Sequence, residues 1–303
     1  MEVEKEMLSD CTTVLVKRPL LTPRAYTAYD TMGATARACL EYLELTMPPI
    51  RITSWNVNGI RSVARKGLLE WLARCAADIV AFQEIKAAPD QLPEALREPP
   101  GYQAFWLPAE RPGYSGVATF TRIQPTEVRA GLGDPVFDSE GRVLVTRFPA
   151  FTLYNVYVPS GASGPERVAH KLAFTERLGA VLGAELAAGV PLVVVGDLNT
   201  AHEAIDLARP RENQRTSGFL PEERAALSAL LARGLVDSFR HLHPDTVAYS
   251  WWTPRAGARQ RNIGWRIDYV LVSTDLASRL VAAEIHGEVE GSDHCPVSVV
   301  LNI

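Results

Sequence analysis

The chain has 303 residues, 47% apolar and 22% charged, an ordinary soluble globular profile with room for two small domains or one large one. Its formal net charge of −4 excludes the global basic signature of a nucleic-acid binder, so an anionic partner would have to be met by a local patch or a metal. No apolar run approaches the roughly 20 residues of a membrane span, and the opening MEVEKEMLSD lacks the basic and apolar pattern of a secretory signal. The four cysteines, Cys11, Cys39, Cys75 and Cys295, show no metal-ligand spacing and read as reduced structural thiols. The expectation is an intracellular, cytoplasmic protein with no membrane partner.

Residues 1–49 mix charge, Thr and Ala with weak periodicity and end in Met47-Pro48-Pro49. Within them, residues 34–45 (ATARACLEYLEL) have the spacing of a helix of about three turns. The segment reads as a loosely ordered extension or as an over-long start with Met47 the true initiator, and a partner-binding extension is the alternative. From Ile50 to 303 the texture becomes that of one α/β domain. Residues 51–55 (RITSW) form a strand candidate running into Asn56, and residues 68–76 carry helical spacing. Residues 78–82 (DIVAF) read as a buried strand ending at Gln83-Glu84. Residues 116–121, 142–148 and 151–158 alternate like strands of a partly exposed sheet. A helix over about 165–188 precedes residues 192–195 (LVVV), a short run suited to a strand buried on both faces, after which Gly196 puts Asp197 and Asn199 on a turn. Residues 222–233 read as an amphipathic helix, and 265–272 (WRIDYVLV) and 296–301 (PVSVVL) as closing strands.

Asn56, Glu84, Tyr157, Asp197 with Asn199, and Asp293 with His294 fall at or beside the ends of separate predicted strands, whereas Asp268 interrupts an apolar one. Sites on α/β folds are assembled from such converging strand-end loops, although each residue alone would also serve as an ordinary polar turn. A buried Asp268 needs a partner, and His294 fits: a carboxylate fixes the imidazole tautomer and favours its protonated form. Glu84 with nearby Asn and Asp oxygens is a donor set suited to Mg²⁺ or Mn²⁺, and no Cys or His cluster argues for zinc.

The series WNVNG (55–59), QEIK (83–86), NVYVP (155–159), GDLN with AHEAIDL (196–199, 201–207), WRIDY (265–269) and SDHCP (292–296) resembles the exonuclease III-like apurinic/apyrimidinic endonucleases. These belong to the endonuclease/exonuclease/phosphatase superfamily that includes deoxyribonuclease I. Two longer stretches narrow the resemblance: RENQRTSGFLPEER (211–224) and YSWWTPRAGARQRNIGWRID (249–268), the latter similar to the family's loop over the damaged nucleotide. That loop places Arg255, Arg259, Arg261 and Arg266 ahead of any acid, a local positive patch.

The resemblance implies a four-layer α/β sandwich, two packed mixed β-sheets flanked by helices. Periodicity alone does not distinguish this from one doubly wound sheet. It implies a monomer that hydrolyses the phosphodiester 5′ to abasic sites in double-stranded DNA, and that also works on blocked 3′ ends as a 3′–5′ exonuclease or 3′-phosphatase, using Mg²⁺ or Mn²⁺. In that scheme Glu84 is the principal metal ligand, with Asn56 and Asp293 near it. Asp197 activates water, supported by Asn56. Asn199, Tyr157 and His294 hold the phosphate, and Asp268 orients His294. A two-metal variant would use Asp197, Asn199 and His294 as a second site. Trp251, Trp265 and Ile267 are expected to line the pocket for a flipped-out sugar, with Arg255, Arg259 and Arg261 on DNA and Trp252 in the core. Asn58, Ser160 and Arg255 depart from residues common in the family. A phosphatase acting on a phosphoinositide or phospholipid, or a non-catalytic damage-binding module, are the rival readings.

Overall fold

Two apolar strand pairs set the architecture of the protein, whose computed structural model describes residues 48–303. The expected helix over 34–45 lies outside the described residues. β1 (Ile50–Asn56) runs parallel to β2 (Ile79–Gln83), and β7 (Thr152–Tyr157) runs parallel to β8 (Leu192–Asp197). Antiparallel strands flank each pair. In the first sheet β12 (Val297–Leu301) and β11 (Leu280–Ile285) lie on one side, β4 (Val117–Thr121) and β3 (Gln103–Leu107) on the other, giving the order β11-β12-β1-β2-β4-β3. The second adds β5 (Glu127–Ala130), β6 (Val143–Arg147), β9 (Leu235–Asp237) and β10 (Asp268–Ser273), in the order β5-β6-β7-β8-β10-β9.

The sheets stack face to face, with β1 and β2 against β7, β8 and β10. Helices α1 (Ile60–Ala64), α2 (Leu68–Arg74) and α3 (Glu94–Arg97) put Ile60, Val63, Leu68, Leu72 and Leu96 onto Val80, Phe82 and Phe120 of the first sheet. On the second sheet α4 (Pro135–Asp138), α5 (Pro165–Ala187) and α6 (Pro221–Leu231) contribute Phe137, Phe174, Leu178, Leu182, Leu227 and Leu230, packed on Tyr154, Val156, Val194, Tyr269 and Leu271. A short α7 (Ser238–Leu242) follows β9. The result is the expected four-layer sandwich, and residues Ile50–Leu301 form one compact unit.

The alternation in β4, β6 and β7 does not mark a partly exposed sheet. β4 and β7 are buried along their whole length and β6 at all but its last residue. Asn155 of β7 and Thr119 of β4 face each other across the sheets. Asn155 Nδ2 donates to Ala118 O at 2.9 Å, and Gln83 Nε2 donates to Asn155 Oδ1 at 2.8 Å. The space between the sheets therefore carries a hydrogen-bonded Asn155–Gln83 pair where the period of two suggested water. Two strand boundaries also shift. β8 extends through Asp197, and β10 begins at Asp268, so Asp268 opens that strand instead of interrupting it.

Candidate active site

Strand direction gathers the site. β1, β2, β7 and β8 end at the edge where β10 and β12 begin, so Asn56, Glu84, Tyr157, Asp197, Asp268 and His294 meet there although they span 239 residues, from Asn56 to His294. Asp197 and Asp268 are register partners across β8 and β10.

The side chains form one connected network. Asn56 Nδ2 donates to Glu84 Oε1 and to Asp197 Oδ2, each at 2.9 Å, while its Oδ1 accepts the Asn58 amide at 2.9 Å. Asn56 thus acts as a donor bridging two carboxylates. His294 Nδ1 lies 2.8 Å from Asp268 Oδ2, and its Nε2 is 3.9 Å from Asp197 Oδ2. Ser250 Oγ donates to the same Asp268 oxygen at 2.7 Å and itself accepts the Ile267 and Asp268 amides at 3.1 Å. The Asp268–His294 pairing read from the sequence is present, with Ser250 as a third member that had no sequence signal.

These contacts set the charge states. Burial, and then the neighbouring Asp268, push the Asp197 carboxyl up to about 7. Burial alone would lower the His294 imidazole, but Asp268 outweighs it and raises it to about 10. Glu84 is held below its usual value: burial opposes ionisation, and the Lys86 ammonium at 2.8 Å with the Asn56 amide more than offset that cost. The Tyr157 phenol, buried and bonded to Glu84, is pushed far up, with the Arg142 guanidinium 4.6 Å from its ring centroid. Asn199 adopts φ 50° and directs its side-chain amide to Val158 O at 2.9 Å and Asp197 Oδ2 at 3.2 Å.

Glu84, Asp197 and His294 each offer a ligand atom, all within 4.8 Å of one another, a group that fits a metal ion. Asp293 stands outside that trio. Its Oδ1 accepts from Asn58 Nδ2 at 2.9 Å and its Oδ2 from Trp251 Nε1 at 3.1 Å. Lys86 of the QEIK motif also bonds Asn58, a contact that the motif alone does not signal.

Beside the network lies an apolar patch. Trp251, Trp265 and Ile267 come together with Phe219, Leu207 and Ala201. The Trp251 and Trp265 rings stand edge to face at 6.4 Å, and Phe219 meets Trp265 at 6.5 Å. Trp251 bridges to both Trp265 and His294 through its backbone, which ties the patch to the acid–histidine network. Phe219 belongs to the 211–224 stretch already singled out, where only its aromatic character marked it. Trp252 is buried, as its core assignment required.

The arginines divide. Arg255 and Arg261 are exposed. Arg266 is not part of a surface patch: it is 1% exposed and paired at 2.8 Å with Asp206 and with Asp237. Arg259 donates to Ser292 O at 2.9 Å, to Gly287 O at 3.0 Å and to Val289 O, and stacks on Trp252 at 4.7 Å. Its guanidinium clasps the segment leading to His294.

The sequence matches the Endonuclease/Exonuclease/phosphatase family over residues 53–294. It is 43% identical to an exodeoxyribonuclease of Bacillus subtilis (strain 168) over 84% of this chain and 100% of the relative. Among solved structures it is similar to an AP endonuclease from Archaeoglobus fulgidus, with TM-score 0.77 and 31% identity over 84% of this chain and 100% of that one. It is also similar to the 3′ phosphatase NExo from Neisseria bound to product DNA hairpin, with TM-score 0.76 and 30% identity over 83% and 99% of the two chains. The chain belongs to the endonuclease/exonuclease/phosphatase family, in its exonuclease III-like apurinic/apyrimidinic endonuclease branch. The fold and the motifs of the sequence lead to the same place.

Proposed function

We propose that the protein is a DNA-repair nuclease that hydrolyses the phosphodiester 5′ to abasic sites in duplex DNA, with 3′–5′ exonuclease and 3′-phosphatase activity as its second capacity. One observation carries the reading: the acid–histidine network and the Trp251, Trp265, Ile267 and Phe219 patch share one edge, joined through Trp251. A phosphoinositide or phospholipid phosphatase would use the network but has no use for that patch. Such a pocket receives a sugar without a base and rejects a nucleotide whose base does not fit. The second capacity is supported by the exodeoxyribonuclease and 3′-phosphatase likenesses.

Glu84 is the residue that would hold a divalent cation, Mg²⁺ or Mn²⁺ by its oxygen chemistry, with Asp197, Asn56 and Asp293 adjoining, while His294, kept as an imidazolium, is left to the phosphate. When bound, the ion supplies charge neutralisation at the scissile phosphate and the leaving 3′-oxygen. Asp197, raised to about 7 and held by Asn56, orients the attacking water and takes its proton. His294, kept protonated by Asp268, donates to a non-bridging phosphate oxygen as charge accumulates, and Tyr157 and Asn199, bonded to Glu84 and Asp197 in the free protein, become further donors where the phosphate displaces those contacts. In-line attack leaves a 3′-hydroxyl and a 5′-deoxyribose phosphate. The chain from Ile50 onward is the catalytic domain, working as a monomer on intracellular DNA, with Arg255 and Arg261 on the phosphate backbone.

The test is a duplex carrying one abasic-site analogue, incubated with Mg²⁺ or with EDTA. Metal-dependent nicking 5′ to the lesion is the expected result. Binding without nicking would leave a damage-binding module instead.

A further inference from the structure

The buried stripe of α5 runs through Lys171, Phe174, Leu178 and Leu182, and that of α6 through Glu223, Leu227 and Leu230. Steps of three and four residues thus set a lysine and a glutamate where leucines would pack without desolvation cost. The two helices lie against each other, and the side chains meet, Nζ to Oε1 at 2.6 Å, with 2% and 0% of their surfaces exposed. Buried ion pairs contribute little net stability compared with apolar residues of similar size. What this pair holds is therefore more informative than what it stabilises.

Lys171 Nζ also donates to Asn199 O at 2.6 Å, on the turn that follows Asp197. That turn has a left-handed residue, Asn199, whose amide donates to Asp197 Oδ1 at 2.8 Å. Glu223 accepts from Ser217 Oγ at 2.9 Å, from Leu220 N at 3.2 Å and from Gly218 N. Gly218 O in turn accepts Ala201 N at 2.8 Å. Gly218 has φ +97°, and a Cβ there would sit 3.2 Å from the Trp265 ring and 3.3 Å from Asn199 O, so this backbone is wedged between the tryptophan cluster and the turn. An ordinary helix-capping glutamate reaches only its own first turn. Glu223 does this and also spans to the other helix.

We propose that Lys171 and Glu223 are positioning residues: their buried pair locks the Asp197–Asn199 turn and the Gly218–Phe219 wall of the tryptophan pocket into one geometry. The inference rests on the nuclease reading for its kinetic consequence, but not for its structural one. Neither residue touches the reacting atoms. Their substitution acts on kcat through the placement of Asp197 and Asn199, since misplacement by about 1 Å at a reacting centre costs on the order of 10²-fold.

The experiment pairs kinetics with amide hydrogen exchange on the full chain. The apolar double variant Lys171→Met with Glu223→Leu is expected to fold but to melt below the wild type, because it leaves the Asn199 carbonyl and the Gly218 and Leu220 amides without their partners. It is expected to lose about 10- to 100-fold in kcat on an abasic duplex, with KM changed far less. A double variant with kcat within about twofold of wild type would overturn the proposal. Should the variant not fold, the wild-type protein still decides. The Ala201, Gly218 and Leu220 amides are expected to exchange as slowly as Val194 in β8, and exchange within seconds would refute the lock. A wild-type protein that does not nick abasic DNA overturns the nuclease reading, whereas slow exchange in the same protein still supports the coupling of turn and wall.

Discussion

Replacing Arg259 by alanine separates a structural arginine from a DNA-contacting one. From the sequence, Arg259 and Arg261 read as equivalent members of a basic loop. In the structure the Arg259 guanidinium is spent on the carbonyls of Gly287, Val289 and Ser292 and on the Trp252 face. A hydrogen bond from a charged donor contributes roughly 1.5–3 kcal/mol when buried, and an exposed cation–π contact about 0.5–1 kcal/mol. Because the side chain is only half-buried and its bonds are not independent, the loss in Arg259→Ala comes to about 2–3 kcal/mol. In a domain of this size that lowers the melting temperature by roughly 4–12 °C. Each phosphate contact removed, by contrast, flattens the log–log salt dependence of DNA binding by about 0.9. Thermal melts and binding titrations over a salt series on Arg259→Ala and Arg261→Ala therefore form a crossed test. Arg259→Ala should melt early with its slope unchanged, and Arg261→Ala should melt normally with its slope reduced by about 0.9. An Arg259→Ala protein with unaltered melting and a flattened slope would refute the clasp.

Asp197→Asn and His294→Ala are each expected to lower abasic-site incision by orders of magnitude with the circular dichroism spectrum unchanged, and near-normal turnover in either would remove the roles given to them. Gly218→Ala puts a Cβ against Trp265 and Asn199 O in a left-handed backbone. It should weaken incision and stability together, and a neutral outcome would show that the wall yields freely. Titration with Mg²⁺ should raise the melting temperature of the wild type and not of Glu84→Ala, because an ion that binds only the folded state stabilises it. An equal rise in both would place the ion elsewhere.

The strands legible in the sequence are the interior ones. All eight that apolar runs or alternation mark, from β1 to β12, lie inside the two sheets, and the four without such a pattern, β3, β5, β9 and β11, are their four edges. An edge strand has one neighbour and often one solvated face, so it needs no continuous apolar run: β5 reads EVRA and is mostly exposed. The site was legible for a different reason. Asn56, Glu84, Asp197, Asp268 and His294 sit in short motifs whose residue types answer the chemistry, and strand polarity brings them together wherever the strands pair correctly. Ser250 and Phe219 lay within quoted stretches, yet a serine and a phenylalanine carry no chemistry that distinguishes them from a turn and a core residue.

Three buried polar residues differ from their sequence pattern for one physical reason. Asn155 in β7 suggested exposure and instead bonds Gln83, 72 residues away, across the sheets. Arg266 suggested a member of a positive surface patch and instead pairs with Asp206, 60 residues away, in the interior. Lys171 suggested nothing and meets Glu223, 52 residues away, between two helices. A one-dimensional pattern registers polarity but not the distant group that satisfies it, so it assigns a buried polar residue to solvent or ligand. The same physics makes such residues informative once the fold is in hand. A charge kept on a helix stripe despite its desolvation cost must be held by its partner and by what that partner holds. For Lys171 the chain of contacts ends at the turn carrying Asp197, which places the interior pair in the service of the site.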